Sequence, residues 1–244
     1  MTLPGPSVVP ADLDSFLDEP TVEAWSSSQL GRLPAAAQAE LAPLTVRMRV
    51  SAGQMIYRQS DPPCFVLVVR GLARIRAQSM DGRYVTIRYM HPGDCVGIVT
   101  VVTDQQPVDA EAVTDCDVVF VDVGTLRRLA TTQAQVGWVL AQSAAASCID
   151  VIDLMTGNLF LSVRQRVARH LLDLSDNTDE GLVVKVGQQG IADAIGSVRE
   201  VVARALRDLE ASGLVERTKQ CIRLTDPSAL HRLVTESQAA RRRA

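Results

Sequence analysis

The sequence predicts an α+β protein: an antiparallel β-roll toward the N-terminus, a long connecting helix, and a C-terminal group of short helices with a small hairpin. Three observations carry that fold class. Short apolar or alternating runs separated by turn signals fill residues 45–125, apolar residues recur at helical spacing over 134–159, and residues 188–215 read as two short helices joined by a glycine turn. A length of 244 residues suits two ordinary domains, and 47% apolar residues supply two cores.

Residues 1–28, with Pro4, Pro6, Pro10 and Pro20, read as a mobile N-terminal extension with room to order in part against the first domain. The first domain is expected over 29–132. Its turn signals fall at Ala52-Gly53, Asp61-Pro62-Pro63, Gly71, Asp81-Gly82 and Pro92-Gly93-Asp94, and its clearest strands are Val66 to Val69, Ala73 to Ala77, Tyr84 to Tyr89 and Val118 to Val121. A helix over 133–159 follows. Along it Gly137, Ala141, Ala144, Cys148, Val151 and Met155 recur at alternating four- and three-residue steps, the spacing of a coiled-coil seam, with small residues where two helices would approach closely. A helix buried in its own chain's core would carry a similar stripe.

The C-terminal domain is expected over 160–236, with 237–244 as a basic tail. Ile191, Ala192 and Ile195 give a first helix an apolar face, Gly196 supplies a turn, and Val198, Val201, Val202, Ala205, Leu206 and Leu209 continue at helical spacing on a second. Ser197 stands where an N-cap belongs and Glu200 follows three residues later, the spacing of a capping box, so the second helix is expected to begin near Val198. Gly213 ends it. Residues 216–220 and the alternating Cys221-Ile222-Arg223-Leu224 then suit a hairpin, or wing.

The outward residues of that second helix are Arg199, Glu200, Ala203, Arg204 and Arg207, grouped on one side by their spacing. Such a face has a specific use on B-DNA, since arginine donates two bonds to guanine O6 and N7 and glutamate accepts from the cytosine amino group. On an isolated helix Glu200 and Arg204 would more simply be a solvated i, i+4 ion pair. The preceding helix, the glycine turn and the wing shift the balance, because together they form the docking geometry of a recognition helix. Gln189, Ser197, Arg207 and Lys219 are assigned to the DNA backbone or to support of the reading residues.

The segment Ile191 to Val215 resembles the winged helix-turn-helix of the CRP/FNR regulators, and Arg199-Glu200 followed by Arg204 is similar to the base-reading residues of the CRP branch. The likeness extends through 45–125, which resembles the family's cyclic-nucleotide-binding jelly roll, and through Asn158-Leu159-Phe160-Leu161 to Leu172. It implies a homodimer on double-stranded DNA, a palindrome with TGTGA-like half-sites, and RNA polymerase as a further partner. Fold resemblance does not supply a ligand. In the cAMP-binding relatives a Gly-Glu pair takes the ribose hydroxyl and an Arg-Ser pair takes the cyclic phosphate. Here the first falls on Gly97-Ile98 and the second on Gln106-Pro107-Val108, while Val151 and Ile152 stand where the adenine-facing helix residues belong. A cyclic phosphate would find its charge poorly paired, which argues against tight cAMP binding, although Arg83 or Arg88 lies near enough in sequence to offer a substitute cation.

No other cofactor is expected. The five cysteines, at 64, 95, 116, 148 and 221, lack CxxC or Cys/His ligand spacing, so no metal site is expected and most should be core thiols. Cys148 is the exception, because a thiol on a symmetric seam would face its own copy, and a redox-responsive regulator is the alternative reading. An enzyme-associated cyclic-nucleotide module is the other. His91, His170 and His231 are scattered, with His170 expected at the surface or between domains, and no nucleophile sits in a triad context, so no catalytic residue is assigned. Residues 160–244 carry 14 Lys/Arg against 11 Asp/Glu, within a chain of net charge −3. The surplus is modest, so phosphate attraction must come from placement of Arg199, Arg204, Arg207, Arg217, Lys219 and Arg223. Without an unbroken apolar run of about 18 residues or a leader pattern, the chain is expected in the cytoplasm, away from membranes.

Overall fold

A computed structural model of the chain describes residues 13–78, 84–178, 181–218 and 221–241. The chain divides into two compact units: one runs to Arg76 and resumes over Arg88–Asp150, and the other comprises Ala77–Ile87 and the residues from Val151 onward. The division falls inside the long helix.

The first unit opens with two short helices, α1 (Glu19–Ser27) and α2 (Ala35–Leu41). Asp18 caps α1 by accepting from the Thr21 amide, and Pro20 sits in its first turn, where a proline costs no hydrogen bond. Trp25 is fully buried, and its Nε1 donates to Gln38 Oε1 at 3.0 Å, while Gln38 Nε2 donates to the Leu33 carbonyl at 2.8 Å. Leu13, Leu17 and Ala24 belong to the same core as Phe65 and Leu126. Of the stretch 1–28, expected as an extension with room to order in part against the first domain, Leu13, Leu17, Ala24 and Trp25 pack into the core, and residues 1–12 lie outside the described residues.

The roll consists of β1 (Val46–Val50), β2 (Met55–Tyr57), β3 (Phe65–Arg70), β4 (Ala73–Gln78), β5 (Tyr84–Met90), β6 (Cys95–Val96), β7 (Asp109–Ala112) and β8 (Cys116–Val121), with α3 (Ile98–Thr103) between β6 and β7. They form two four-stranded sheets in the orders β1-β8-β3-β6 and β2-β7-β4-β5. All four strands expected from sequence are present. β3 reads as a continuous apolar run because both its faces are covered: Phe65, Leu67 and Val69 join the helical core, and Val66 and Val68 are buried on the opposite face. α4 (Val123–Thr132) and α5 (Ala134–Phe160) close the unit, with Leu126, Leu129, Val136, Val139 and Leu140 in that core.

Asp117 ties β8 to β1, accepting from Arg47 Nη2 and Arg49 Nε, each at 3.2 Å. Burial would raise its pKa, but the hydrogen bonds and charge of Arg49 and Arg47 outweigh that and hold the carboxyl below the ordinary aspartate value. A carboxyl depressed in the folded state stabilises it at neutral pH, and that contribution is lost as pH falls from the ordinary aspartate range through the depressed value. Asp117→Asn is therefore expected to lower stability at pH 7 and to differ progressively less from the parent below about pH 4 in parallel denaturant titrations.

In the second unit α6 (Val163–Asp173) starts in a complete capping box between Ser162 and Gln165. α7 (Gln188–Ala194), α8 (Arg199–Ala211) and α9 (Pro227–Arg241) complete its helices, with Val167, Leu171, Ile191, Leu206, Leu209 and Leu230 buried. The expected wing is present as β11 (Val215–Arg217) paired antiparallel with β12 (Ile222–Leu224). It belongs to a larger sheet, ordered β11-β12-β10-β9, whose β9 (Asp176–Thr178) and β10 (Gly181–Val184) precede α7. His170, expected at the surface or between domains, is 7% exposed: it lies on the inner side of α6 beside Val167 and Leu171.

Candidate nucleic-acid interface

α7 ends in a backbone turn that sets where α8 begins. The Gly196 amide returns to the Asp193 carbonyl at 3.4 Å and the Ser197 amide to that of Ala192 at 2.9 Å, with Gly196 at φ +63°, a left-handed conformation that a residue with a Cβ adopts only at a cost. α8 then starts at Arg199, with Val198 in the N-cap position and no side chain capping it. This corrects the capping box assigned to Ser197 and Glu200. The Ser197 amide closes α7, so the entry to α8 falls one residue later.

Arg199, Glu200, Arg204 and Arg207 are exposed along α8, and Val202, Ala205, Leu206 and Leu209 on its other side are buried. The i, i+4 pair between Glu200 and Arg204 does not form: among the described residues, none of these four outward side chains makes a hydrogen bond or ion pair within the chain. Three donors and one acceptor thus stand on one rigid face with hydrogen-bonding capacity for an outside partner.

The supporting residues divide. Gln189 is exposed on α7 and donates from Nε2 to Asp193 Oδ1 at 2.7 Å, and Ser197 lies in the turn. Lys219 lies outside the described residues. Arg217 is bound back to Glu210, its Nε at 2.8 Å and Nη2 at 2.5 Å from Oε2, and those bonds hold the Glu210 carboxyl below the ordinary glutamate value. Arg223 Nη1 lies 3.2 Å from Glu216 Oε2 across the β11 and β12 pair. Arg217 and Arg223, expected to serve phosphate attraction, each have a carboxylate partner, and these pairs brace the wing onto α8 and onto itself.

Sequence reasoning missed Arg166. From α6 its Nη1 donates at 3.0 Å to the carbonyl of Ile195, the residue that ends α7, and so fixes the turn from behind. A charge on an amphipathic helix reads as solvent-facing, so no local signal marks it. Arg166→Ala is expected to cost about 1.5–3 kcal/mol of stability, the usual worth of a hydrogen bond from a charged group, read from the unfolding midpoint of the C-terminal unit.

In the roll, Gly97 caps α3 at φ +107°, and a Cβ there would come within 2.2 Å of the Cys64 carbonyl oxygen. Ile98 is buried in the helical core, and Val108 is half-buried ahead of β7. Arg88 donates to Asp94 Oδ1 at 3.1 Å and Asp150 Oδ2 at 2.9 Å, so two carboxylates already answer its charge; Arg83 lies outside the described residues. Tyr57 Oη and Gln106 Oε1 are buried without a hydrogen-bond partner. A buried isoleucine at the ribose position and no uncommitted cation among the described roll residues Arg74, Arg76 and Arg88 fit a cyclic nucleotide poorly. Val151 and Ile152 are exposed on α5.

Four of the six seam residues of α5 lie at the surface. Ala141 and Cys148 are exposed, as are Val151 at 41% and Met155 at 58%, whereas Val136, Val139 and Leu140 on another side of the helix are buried. Gly137 and Ala144 are half-buried, Ala144 against the chain's own core, so the stripe leaves that core only in part. By length and apolarity alone Ala134–Thr156 would also suit a membrane span, though Gln135, Gln142, Ser143, Ser147 and Asp150 punctuate it. Burial pushes the Cys64 thiol up to about 11 and that of Cys95 up to about 12, which disfavours the nucleophilic thiolate of both at neutral pH, and it raises Cys116 as well.

Two family models match: a cyclic nucleotide-binding domain over residues 47–133 and a Crp-like helix-turn-helix domain over residues 165–233. The transcriptional regulator LdrP of Thermus thermophilus is 32% identical over 199 residues, covering 77% of this chain and 91% of LdrP. The chain belongs to the CRP/FNR family of transcription regulators. Another relative of this CRP/FNR regulator is the cAMP-activated global transcriptional regulator Vfr of Pseudomonas aeruginosa, 26% identical over 179 residues, covering 69% of this chain and 84% of Vfr. The fold matches the crystal structure of a putative crp/fnr-family regulator from Eubacterium rectale with a TM-score of 0.70 at 24% identity, over 83% of this chain and 95% of that one.

Proposed function

We propose that this regulator binds a palindromic DNA site as a homodimer and is not tightly controlled by cAMP. The observation that carries the reading is the exposed, unpaired set Arg199, Glu200 and Arg204 on the outer face of α8. Arg199 and Arg204 each donate to O6 and N7 of a guanine and Glu200 accepts from a cytosine amino group, which fits half-sites of the TGTGA type. Arg207, Ser197, Gln189 and Lys219 bind the backbone or support the reading residues, and the uncapped start of α8 offers its amides to a phosphate. Two-fold pairing along the exposed seam of α5 would set the two recognition helices about 34 Å apart, one turn of duplex.

The poor fit of Gly97, Ile98 and Val108 to a cyclic phosphate supports control by something other than cAMP. Cys148 favours a second reading of that control: an exposed thiol on a symmetric seam, whose oxidation would act on helix pairing. A catalytic role would need a domain where residues 165–233 match a helix-turn-helix, so the protein is read as a non-enzyme. A place on DNA implies the cytoplasm, no membrane partner, and RNA polymerase as the next contact. A gel-shift titration on a TGTGA-type palindrome, repeated with cAMP, cGMP, reductant and a thiol oxidant, tests the whole reading. Tight binding unchanged by cAMP is expected; no preference for the palindrome over scrambled DNA would end the proposal, and a large gain with cAMP would overturn its second half. If Cys148→Ser keeps any oxidant response, the thiol reading is discarded.

A further inference from the structure

We propose that Trp138 of each protomer inserts into an apolar groove on a second copy of this chain; the inference rests on the homodimer proposed above. Trp138 lies on α5 and is 66% exposed, although large aromatic side chains dominate interface energetics when buried. From the seam of the same helix outward over its flank runs a largely apolar groove of about 380 Å³, lined by Val102 of α3, Arg127 of α4, and Gly137, Leu140, Ala141 and Ala144 of α5. Val102 at its rim is 73% exposed.

Helix geometry places the two features opposite each other. With Gly137, Ala141, Ala144 and Cys148 as the a and d positions, Trp138 takes an e position and Leu140 a g position, on opposite sides of the seam. A two-fold axis parallel to α5 sets the e side of one helix against the g side of its partner at the same height, so each Trp138 meets the partner's groove, and the contact is made twice. No charged residue occurs between Ala134 and Ile149 on α5, and the charge of Arg127 in the groove lining is answered by Asp104 at 2.5 Å. Trp138, Ile149, Val99 and Val102 are all exposed large apolar side chains and, with the exposed small residues of the seam, contribute to the roughly 800 Å² per partner that a stable dimer buries.

Iodide quenching of tryptophan fluorescence in the full-length protein, run beside sedimentation velocity over a dilution series, tests this. Trp25 is fully buried, so Trp138→Phe isolates its signal and the difference reports Trp138. In the dimer Trp138 is expected to be shielded from iodide, and Trp138→Ala and Val102→Arg, both at exposed positions, are each expected to weaken dimerisation at least ten-fold. A dimer in which Trp138 remains open to iodide, or one whose affinity neither variant changes, overturns the inference while leaving the homodimer standing. A monomer at every concentration removes both.

Discussion

Arg199→Ala and Arg204→Ala are each expected to weaken binding to the preferred palindrome by about 1–3 kcal/mol, the range for losing one bidentate contact to a guanine. That is roughly a five- to 150-fold loss in affinity. The direction of the specificity change matters more than the loss itself. Removing a base contact relaxes preference at one position of the half-site, whereas removing a phosphate contact lowers binding to every sequence and flattens the salt dependence. Arg207→Ala should behave in the second way, and Glu200→Ala should relax the preference for cytosine at its position. All four side chains are exposed and unpaired, so folding stability should change by no more than about 0.5 kcal/mol, and a loss of binding is not confounded by unfolding. Affinities for the palindrome and its single-base variants, at two salt concentrations, check the set. Unchanged base preference in both arginine variants would remove the assignment.

The parts of the fold written in short-range periodicity were legible in sequence. α8 was placed by Val202, Leu206 and Leu209, which recur at helical spacing and are buried, and β3 by an apolar run whose two faces are both covered. What failed was long-range or fine-grained. Ser197 has the right chemistry for an N-cap, but the glycine closure of α7 claims its amide, a competition that spacing alone does not reveal. β9 and β10 are three and four residues long, too short to announce an alternation. Arg166 draws no assignment from sequence, Arg217 is assigned to phosphate and Arg88 is offered as a substitute cation, yet each has a partner that folding brings near: the Ile195 carbonyl, Glu210, and the Asp94 and Asp150 carboxylates. Arginine's role depends on what it meets, and sequence records only that it is there.

The N-terminal stretch makes the same point with the largest expected effect on stability. Four prolines in the first 20 residues suggest a loose tail, but Pro20 begins a helix that buries Trp25 completely and donates its indole N–H to Gln38, itself fully buried. Trp25→Ala should therefore destabilise the first unit by about 3–5 kcal/mol from the cavity and lost burial. A further 1–3 kcal/mol follows if Gln38 Oε1 is left without a donor. A cost of 3–5 kcal/mol corresponds to a fall of roughly 6–20 °C in its thermal midpoint. Trp25→Phe keeps most of the volume and loses only the hydrogen bond, so it should fall well short of the alanine variant. A chain beginning at Gln29 should fare worse than either, because Leu13, Leu17, Ala24 and Trp25 leave one core together. Calorimetry on the three proteins distinguishes a structural helix from a dispensable tail: if the alanine variant melts within a degree or two of the parent, Trp25 does not hold this core.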